Sequence, residues 1–267
     1  MNYQRILPNT PPAVKGLLLA NVIMFALSYI FGDVFMKLFA LYIPASEYFF
    51  PHQFITHLFM HGSISHIFFN MFALWMFGKI LEQVWGSKRF LVYYFVTGLG
   101  AALLHTLVNY YELHSLNVAG QALLNTPTPQ LFESFVHKYI QYPSKGLTEL
   151  VYEFANNPDS ETIKATLPDI VHRISEIKIN IPTVGASGAV YGVLLAFGML
   201  FPNTELMLIF PPIPIKAKYM VIGYAVLELV LGVSQPGSNI AHFAHLGGML
   251  FGWILIKYWS NNRNNFY

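Results

Sequence analysis

The sequence contains no cysteine, and this absence excludes several kinds of chemistry at once. A chain without cysteine has no disulfide framework, no thiolate nucleophile and no cysteine-ligated zinc. The redox compartment therefore stays open. Charged residues are also scarce: they make up 10% of the 267 residues, whereas a soluble domain has about 25%. The net charge of +2 is small and gives no indication of nucleic-acid binding.

Long apolar runs, by contrast, are abundant. Hydrophobic residues make up 55% of the chain and the mean hydropathy is +0.47, which indicates a protein that crosses a membrane several times. A membrane-spanning helix needs about 20 mostly apolar residues. Six windows meet this requirement: 14–32, 65–84, 89–108, 184–201, 217–233 and 240–258. We therefore predict an all-α polytopic bundle of six transmembrane helices.

One long polar stretch interrupts this pattern. Residues 109–182 hold 8 of the 13 acidic and 5 of the 15 basic residues, and prolines punctuate them. Two segments, 130–141 and 161–177, have the pattern of amphipathic helices. The stretch is too poor in apolar residues to span a bilayer, so we predict an extramembrane insert. It separates the first three helices, in residues 1–108, from the last three, in residues 183–267.

The distribution of Lys and Arg predicts the orientation of the bundle. If the N-terminus is cytoplasmic, nine basic residues fall on the inner side, whereas the short outer loops carry only Lys37. The nine are Arg5, Lys15, Lys79, Lys88, Arg89, Lys216, Lys218, Lys257 and Arg263. We therefore expect both termini to be cytoplasmic and the insert to be exoplasmic.

Polar side chains inside a membrane are costly and usually functional, and a few lie near the outer ends of the predicted helices. Ser187 lies near the start of the fourth helix, in the run VGASGAVYG, and His242 and His245 lie at a similar depth in the sixth. A serine hydroxyl becomes a nucleophile when a base accepts its proton, and imidazole is the usual base. Small residues in both helices would permit the close approach that this requires: Gly188 and Gly192 in one, Gly248 and Gly252 in the other.

Other side chains have the spacing to assist such a pair. Tyr191 follows Ser187 by four residues on the same helix face, so its ring can pack against the histidine. His66 and Asn70 lie on one face of the second helix, and both could donate hydrogen bonds to an oxyanion together with the Ser187 N–H. The fourth and sixth helices contain no Asp or Glu, so we expect a Ser–His dyad without a carboxylate. Glu228, in the fifth helix, has no evident partner and receives no role.

Taken together, these motifs resemble those of the rhomboid intramembrane serine proteases. The resemblance covers nearly the whole chain except the insert, and four features carry it: GASG at 185–188 with Tyr191, AHLGG at 244–248 with Gly252, HxxxN at 66–70, and Glu82-xxx-Gly86. It implies a six-helix rhomboid-like bundle in which Ser187 is the nucleophile, His245 is the base, and His66 and Asn70 stabilise the oxyanion. The insert between the third and fourth helices is a departure from the family's short connection.

The function expected from this resemblance is hydrolysis of peptide bonds in or near transmembrane segments of membrane-protein substrates, through an acyl-enzyme. The expected partners are such substrates and the lipid bilayer, not nucleic acid, and the oligomeric state is left open. Two alternatives remain: a non-proteolytic rhomboid-like escort of membrane proteins, and a transporter or channel. No cofactor is expected, and no metal, because the histidines of the second helix lack an HExxH motif.

Three further expectations concern neighbouring residues and location. His57 and His61 are expected to stabilise the first outer loop by hydrogen bonds, and Glu82 to bind backbone or a lysine near the inner interface. The sequence has no evident signal peptide, transit peptide or seventh helix. We therefore expect a multi-pass protein of a bacterial plasma (inner) membrane.

Overall fold

The computed structural model describes residues 10–207, 212–234 and 241–261. Eleven α-helices make up most of this part of the chain. They are α1 (Pro12–Phe39), α2 (Gln53–Thr56), α3 (Ile64–Ala73), α4 (Lys79–Trp85), α5 (Ser87–Asn125), α6 (Pro129–Tyr139), α7 (Lys145–Asn156), α8 (Glu161–Ile179), α9 (Ser187–Leu200), α10 (Ala217–Ser234) and α11 (His242–Asn261). The strands β1 (Glu205–Met207) and β2 (Pro214–Lys216) pair antiparallel, with Leu206 opposite Ile215. The predicted all-α polytopic bundle is confirmed.

Each of the six apolar windows coincides with helix, although residue 240 lies outside the described residues. Within the described ranges, four helical segments are long and apolar enough to cross a membrane: α1, Ile64–Trp85, α5 and α10. Ile64–Trp85 joins α3 to α4 through a π-helical turn, Leu74–Gly78. α9 is apolar but has only 14 residues, so the count of six spanning helices stays a prediction.

The first helix begins at a proline and is capped by a side chain from another helix. Proline suits the first helical position because it has no N–H that would need a partner. The next two free donors, the N–H groups of Ala13 and Val14, donate to the two carboxylate oxygens of buried Glu82 at 2.9 and 2.7 Å. The expected structural role of Glu82 is thus confirmed. Gly32, with φ +57°, kinks the helix near its C-terminal end.

α9 lies at the centre of the bundle, packed against α5, α10 and α11. Close approach requires glycine at the crossing of α9 and α11: a Cβ on Gly248 would lie 1.8 Å from the carbonyl oxygen of Gly188. On the opposite side, a Cβ on Gly188 would lie 2.4 Å from the Cβ of Ala101 in α5. Such contacts between backbones bring the N-terminal ends of α9 and α11 together.

The insert is helical and has a core of its own. α5 continues without a break from the bundle to Asn125, and α6, α7 and α8 follow it. Their buried residues form one cluster: Leu116, Leu123, Phe132, Phe135, Val136, Tyr139, Phe154, Ile163, Leu167, Val171 and Ile174. The two predicted amphipathic helices are confirmed as α6 and α8, whereas α7 was not predicted. The boundaries 109 and 182 of the insert stay a prediction.

Candidate active site

Ser187 is the first residue of α9, and the chain just before it is hydrogen-bonded to the connection between α1 and α3. Thr183 and Leu41 exchange backbone hydrogen bonds at 2.8 and 2.9 Å, and the N–H of Gly185 donates to the carbonyl of His57 at 2.9 Å. Gly185 has φ +120°, a conformation that favours glycine. At the start of a helix, the first N–H groups have no partner within the helix. The N–H of Ser187 is therefore available to a ligand.

His245 faces this serine from α11. Its Nε2 lies 2.8 Å from Ser187 Oγ, a hydrogen-bond distance, and His245 is buried while Ser187 is half-buried. The close contact of Gly188 with Gly248 explains why side chains on two helices can meet in this way. The structure therefore brings together the two residues to which the sequence assigns the nucleophile and the base.

Tyr191 lies one helical turn after Ser187 and contacts the same histidine. Its ring is stacked on the His245 imidazole, with 4.2 Å between ring centroids and 5° between planes. The Tyr191 hydroxyl donates to the carboxylate of Glu228. The stacked ring thus prevents the imidazole from tilting out of its plane, and the hydroxyl links α9 to α10.

His66 and Asn70 lie on α3, beside the start of α9. The His66 ring packs on the α-carbon of Gly185, where an added Cβ would be 2.8 Å from its Nε2. Asn70 is buried, and its Nδ2 has no hydrogen-bond partner in the described part of the chain. Neither side chain is hydrogen-bonded to Ser187 or His245. Both line the same cavity as these two residues.

The other two histidines of this region differ in their contacts. His57 Nδ1 lies 2.8 Å from the carbonyl oxygen of Gln53, which confirms a hydrogen bond within the connection between α1 and α3. For His61 the expected hydrogen bonds stay a prediction: neither ring nitrogen has a well-aligned partner among the described residues, and the ring meets His66 edge-on at 5.0 Å. Burial lowers the pKa of His57 to about 4, and burial and then His66 lower the pKa of His61 to about 3. Both rings are therefore neutral near pH 7.

Glu228, to which the sequence assigns no role, lies in the middle of the site. Its Oε2 is 2.6 Å from His242 Nδ1, and its Oε1 is 2.9 Å from His245 Nδ1. The second contact is short but not aligned as a hydrogen bond, because the His245 N–H direction misses the oxygen. The sequence does not indicate this carboxylate next to His245, and the expectation of a Ser–His dyad stays a prediction. An acid inside a membrane needs partners, but the sequence does not show which helices turn toward it.

One group of described residues has the composition of a metal site: Glu228, His242 and His245. Their possible ligand atoms lie within 4.8 Å of one another. Ligands of one tetrahedral zinc ion lie roughly 3.3 Å apart, given Zn–N and Zn–O bonds of about 2 Å. The contacts of 2.6 and 2.9 Å are shorter than this and suit direct contacts between a carboxylate and two imidazoles, of which the first is a hydrogen bond. The prediction that no metal takes part stays a prediction.

A cavity of about 1060 Å³ opens beside Ser187 and His245. The bundle supplies one part of its wall, including Asn70, and the insert supplies another, including Lys138, Tyr139 and Lys178. A peptide segment that reached Ser187 through this cavity would therefore pass the insert.

A family model described as "Rhomboid domain" matches residues 50–123 and 133–262, which is more than half of the chain. Among curated proteins, the chain is 26% identical to "RHOMBOID-like protein 12, mitochondrial" of Arabidopsis thaliana, over 88% of this chain and 54% of that protein. It is 32% identical to "Rhomboid protein 1, mitochondrial" of Saccharomyces cerevisiae, over 32% of this chain and 25% of that protein. It is 37% identical to "Rhomboid protease GluP" of Bacillus subtilis, over 18% of this chain and 10% of that protein.

These relatives correct one prediction. The expected bacterial plasma membrane is wrong, because the Arabidopsis and yeast relatives are mitochondrial proteins. The assignment of the termini to the cytoplasm and of the insert to the exoplasmic side assumed that membrane and is withdrawn as well. The absence of a seventh helix and of a transit peptide, on which this prediction is based, carries no weight in a chain that spans about half or less of these relatives. A protein that crosses the membrane several times is supported.

Proposed function

Because the chain belongs to the rhomboid family, we propose that it is an intramembrane serine endopeptidase that cleaves membrane proteins in or near their transmembrane segments. The observation that carries the proposal is the 2.8 Å contact between Ser187 Oγ and His245 Nε2 in the interior of the bundle. The name of the Bacillus subtilis relative, a rhomboid protease, supports the proposal. The mitochondrial relatives support an organellar membrane as the location.

In the proposed reaction, His245 Nε2 accepts the proton of the Ser187 hydroxyl as Oγ attacks the scissile carbonyl carbon. The tetrahedral intermediate collapses, the C–N bond breaks, and the imidazolium gives its proton to the leaving amine. Water then attacks the ester, again with His245 as general base, and releases the second product and Ser187. The reaction requires no cofactor.

The proposed oxyanion site lies between α3 and the start of α9. The Ser187 N–H lies at the N-terminal end of α9, where the helix dipole is positive. Asn70 Nδ2 is a second, buried donor, and it has no partner among the described residues. A buried donor without a partner is costly unless a ligand accepts its hydrogen bond. His66, packed on Gly185, is placed to contribute a further donor. These features support oxyanion roles for His66 and Asn70.

The substrates that fit this arrangement are membrane proteins whose cleavage region unfolds into the cavity beside Ser187. A helix must unwind to expose its scissile carbonyl, and in a bilayer the freed backbone groups need polar partners. The cavity supplies such partners and is walled in part by the insert. We propose residues 109–182 as a unit that borders the path of the substrate.

The test is cleavage of a single-span substrate by the full chain in liposomes, with Ser187→Ala, His245→Ala and His242→Ala. Loss of a serine or its base in such a unit lowers kcat by at least about 10⁴-fold, so the first two variants should lose measurable cleavage. His242→Ala should retain some, because this histidine does not touch Ser187. Ser28→Ala and His172→Ala are matched controls, since both residues lie away from the site.

Cleavage that survives Ser187→Ala would contradict the proposal. Complete loss in His242→Ala, with activity kept in His245→Ala, would assign the base to His242. A wild-type protein that binds single-span proteins but leaves them intact would favour the escort function instead.

A further inference from the structure

The proposed dyad makes no use of Glu228, a buried carboxylate in the middle of α10. Three side chains from two other helices surround it: Tyr191 from α9, and His242 and His245 from α11. The two oxygens have different partners. Oε2 contacts His242, whereas Oε1 contacts Tyr191 and the Nδ1 of His245. The carboxylate therefore contacts the far side of the same imidazole that contacts Ser187.

A purely structural role would not require this arrangement. His242 and Tyr191 alone could satisfy the carboxylate, one at each oxygen, and Glu228 would then link α9, α10 and α11. The additional contact of Oε1 with His245 Nδ1, at 2.9 Å, places a negative charge where an imidazolium would form during the reaction. Since His245 Nε2 faces Ser187 Oγ, its two nitrogens contact a hydroxyl on one side and a carboxylate on the other.

We propose that Glu228 is a positioning residue that acts through His245, so that the site works as a Ser–His–Glu triad. The proposal depends on the proposed function. The carboxylate keeps the proton of neutral His245 on Nδ1, which leaves Nε2 free to accept from Ser187. In serine proteases a carboxylate in this position holds the histidine tautomer and stabilises the imidazolium without taking its proton.

The proton balance of the step is simple. As the bond between Ser187 Oγ and the carbonyl carbon forms, the hydroxyl proton moves to His245 Nε2. Nδ1 keeps its own proton, and Glu228 stays ionised opposite the resulting cation. When the C–N bond breaks, the Nε2 proton goes to the leaving amine, and His245 returns to its neutral form.

The geometry allows the Nδ1 contact to tighten during the reaction. In the resting site the Nδ1–H direction misses Oε1, and catalytic hydrogen bonds are often poorly aligned before substrate binds. Tyr191 and His242 hold the carboxylate, and the Tyr191 ring leaves the imidazole free to turn in its own plane. A small in-plane rotation therefore aligns the hydrogen bond while the stacking is kept.

The titratable groups around His245 come from several helices. Tyr191 lies on α9, Glu228 on α10 and His242 on α11 itself, while His66 on α3 and His105 on α5 interact with it electrostatically. Of these groups, Glu228 is the acid in direct contact with the imidazole. Its removal is therefore the change that should alter the pH dependence of cleavage.

The test compares Glu228→Gln with Glu82→Gln, a matched change at another buried carboxylate of the bundle. Glu228→Gln should lower kcat on the order of 10²- to 10⁴-fold with little change in KM. The acidic limb of its kcat/KM profile should move to lower pH, because an imidazolium without a carboxylate neighbour releases its proton more readily. Glu82→Gln weakens the cap of α1, so it should reduce the yield of folded protein and leave the pH profile unchanged.

A Glu228→Gln protein with wild-type kcat and an unmoved acidic limb would show that Glu228 is only a structural partner of His242. Loss of cleavage in Ser187→Ala would in that case still support the protease. A second measurement does not need activity: the ¹⁵N spectrum of His245 should show the Nδ1–H tautomer in wild type and its loss in Glu228→Gln. An Nε2–H tautomer in wild type would overturn the proposal, even if the protein cleaves no substrate.

Discussion

The bundle and the insert both have buried apolar cores, but different contacts hold them together. In the bundle, helix backbones touch at glycines, and a tyrosine of one helix bonds the backbone of another: Tyr93 donates to the Gly192 carbonyl at 2.8 Å. In the insert, large apolar side chains such as Phe132 and Phe154 fill the space between helices. The outer surfaces differ too, because α10 exposes apolar side chains such as Val233, whereas α7 exposes the Lys145–Glu149 ion pair.

The difference is what we expect if the bundle lies in lipid and the insert lies in water, as the sequence predicts. Lipid tails are as apolar as a leucine side chain, so moving apolar side chains out of lipid contributes little free energy to helix association. Close van der Waals packing and interhelical hydrogen bonds drive the association instead. In water, removing apolar surface from the solvent is the main driving force. Ser187 and His245 lie at the tightest backbone contact of the bundle. The geometry of the proposed Ser187–His245 pair therefore depends on backbone packing that leaves no room for an added side-chain atom.

The largest effect is expected for Gly248→Ala. A Cβ at this position would lie 1.8 Å from the Gly188 carbonyl oxygen, and only separation of α9 from α11 relieves the clash. Overpacking at such a site costs about 3 kcal/mol or more. Cleavage and thermal stability in detergent should both be lost. Gly223→Ala is the control, because an added Cβ there meets nothing within 4 Å; equal loss in both variants would contradict the close-packing explanation.

Phe132→Ala should damage the insert more than the active site. Phe132 is fully buried in the insert core, and truncation of such a residue costs about 3–5 kcal/mol. Hydrogen exchange should become faster in α6, α7 and α8, while a fluorophosphonate should still label Ser187. If labelling of Ser187 is also lost in Phe132→Ala, the core of the insert and the core of the bundle are not independent.

Tyr93→Phe should have a moderate effect. The change removes the hydroxyl that bonds the Gly192 carbonyl in α9, and one such bond contributes about 1 kcal/mol. The midpoint of thermal unfolding should fall by a few degrees, with cleavage retained. Tyr29→Phe, at a highly exposed position of α1, is the matched control and should show no change. A fall of the same size in both would mean that the interhelical bond contributes nothing.

Lys145→Ala should have the smallest effect. Its ion pair with Glu149 spans 3.7 Å on the exposed face of α7, and such pairs contribute less than about 0.5 kcal/mol. Thermal unfolding in low salt should barely change, and in high salt not at all. A large destabilisation would show that the insert depends on charge rather than on its apolar core.

The two regions also differ in what their sequences predict. Hydropathy locates every apolar helix of the bundle, since bilayer thickness sets the length of the pattern. It does not show that α5 runs on to Asn125, because the helix continues after its residues become polar. α7 was missed for a similar reason: it is short and its only buried residue is Phe154.

The candidate site shows the same limit. Ser187 and His245 could be paired from their depth and from the glycines around them, and Tyr191 from its spacing. Glu228 could not be paired, because its contacts depend on the rotation of α10 about its own axis. A lone acid in an apolar helix predicts that partners exist, but not which ones they are.

The measurement that tests the central claim most directly is mass spectrometry of the purified full chain after reaction with a fluorophosphonate in detergent. An activated serine forms a covalent adduct with this reagent, and an ordinary one does not. We expect a single adduct, on Ser187, in wild type and strongly reduced labelling in His245→Ala. An unlabelled Ser187 in folded wild-type protein, or an adduct on a different serine, would contradict the assignment of Ser187 as the nucleophile.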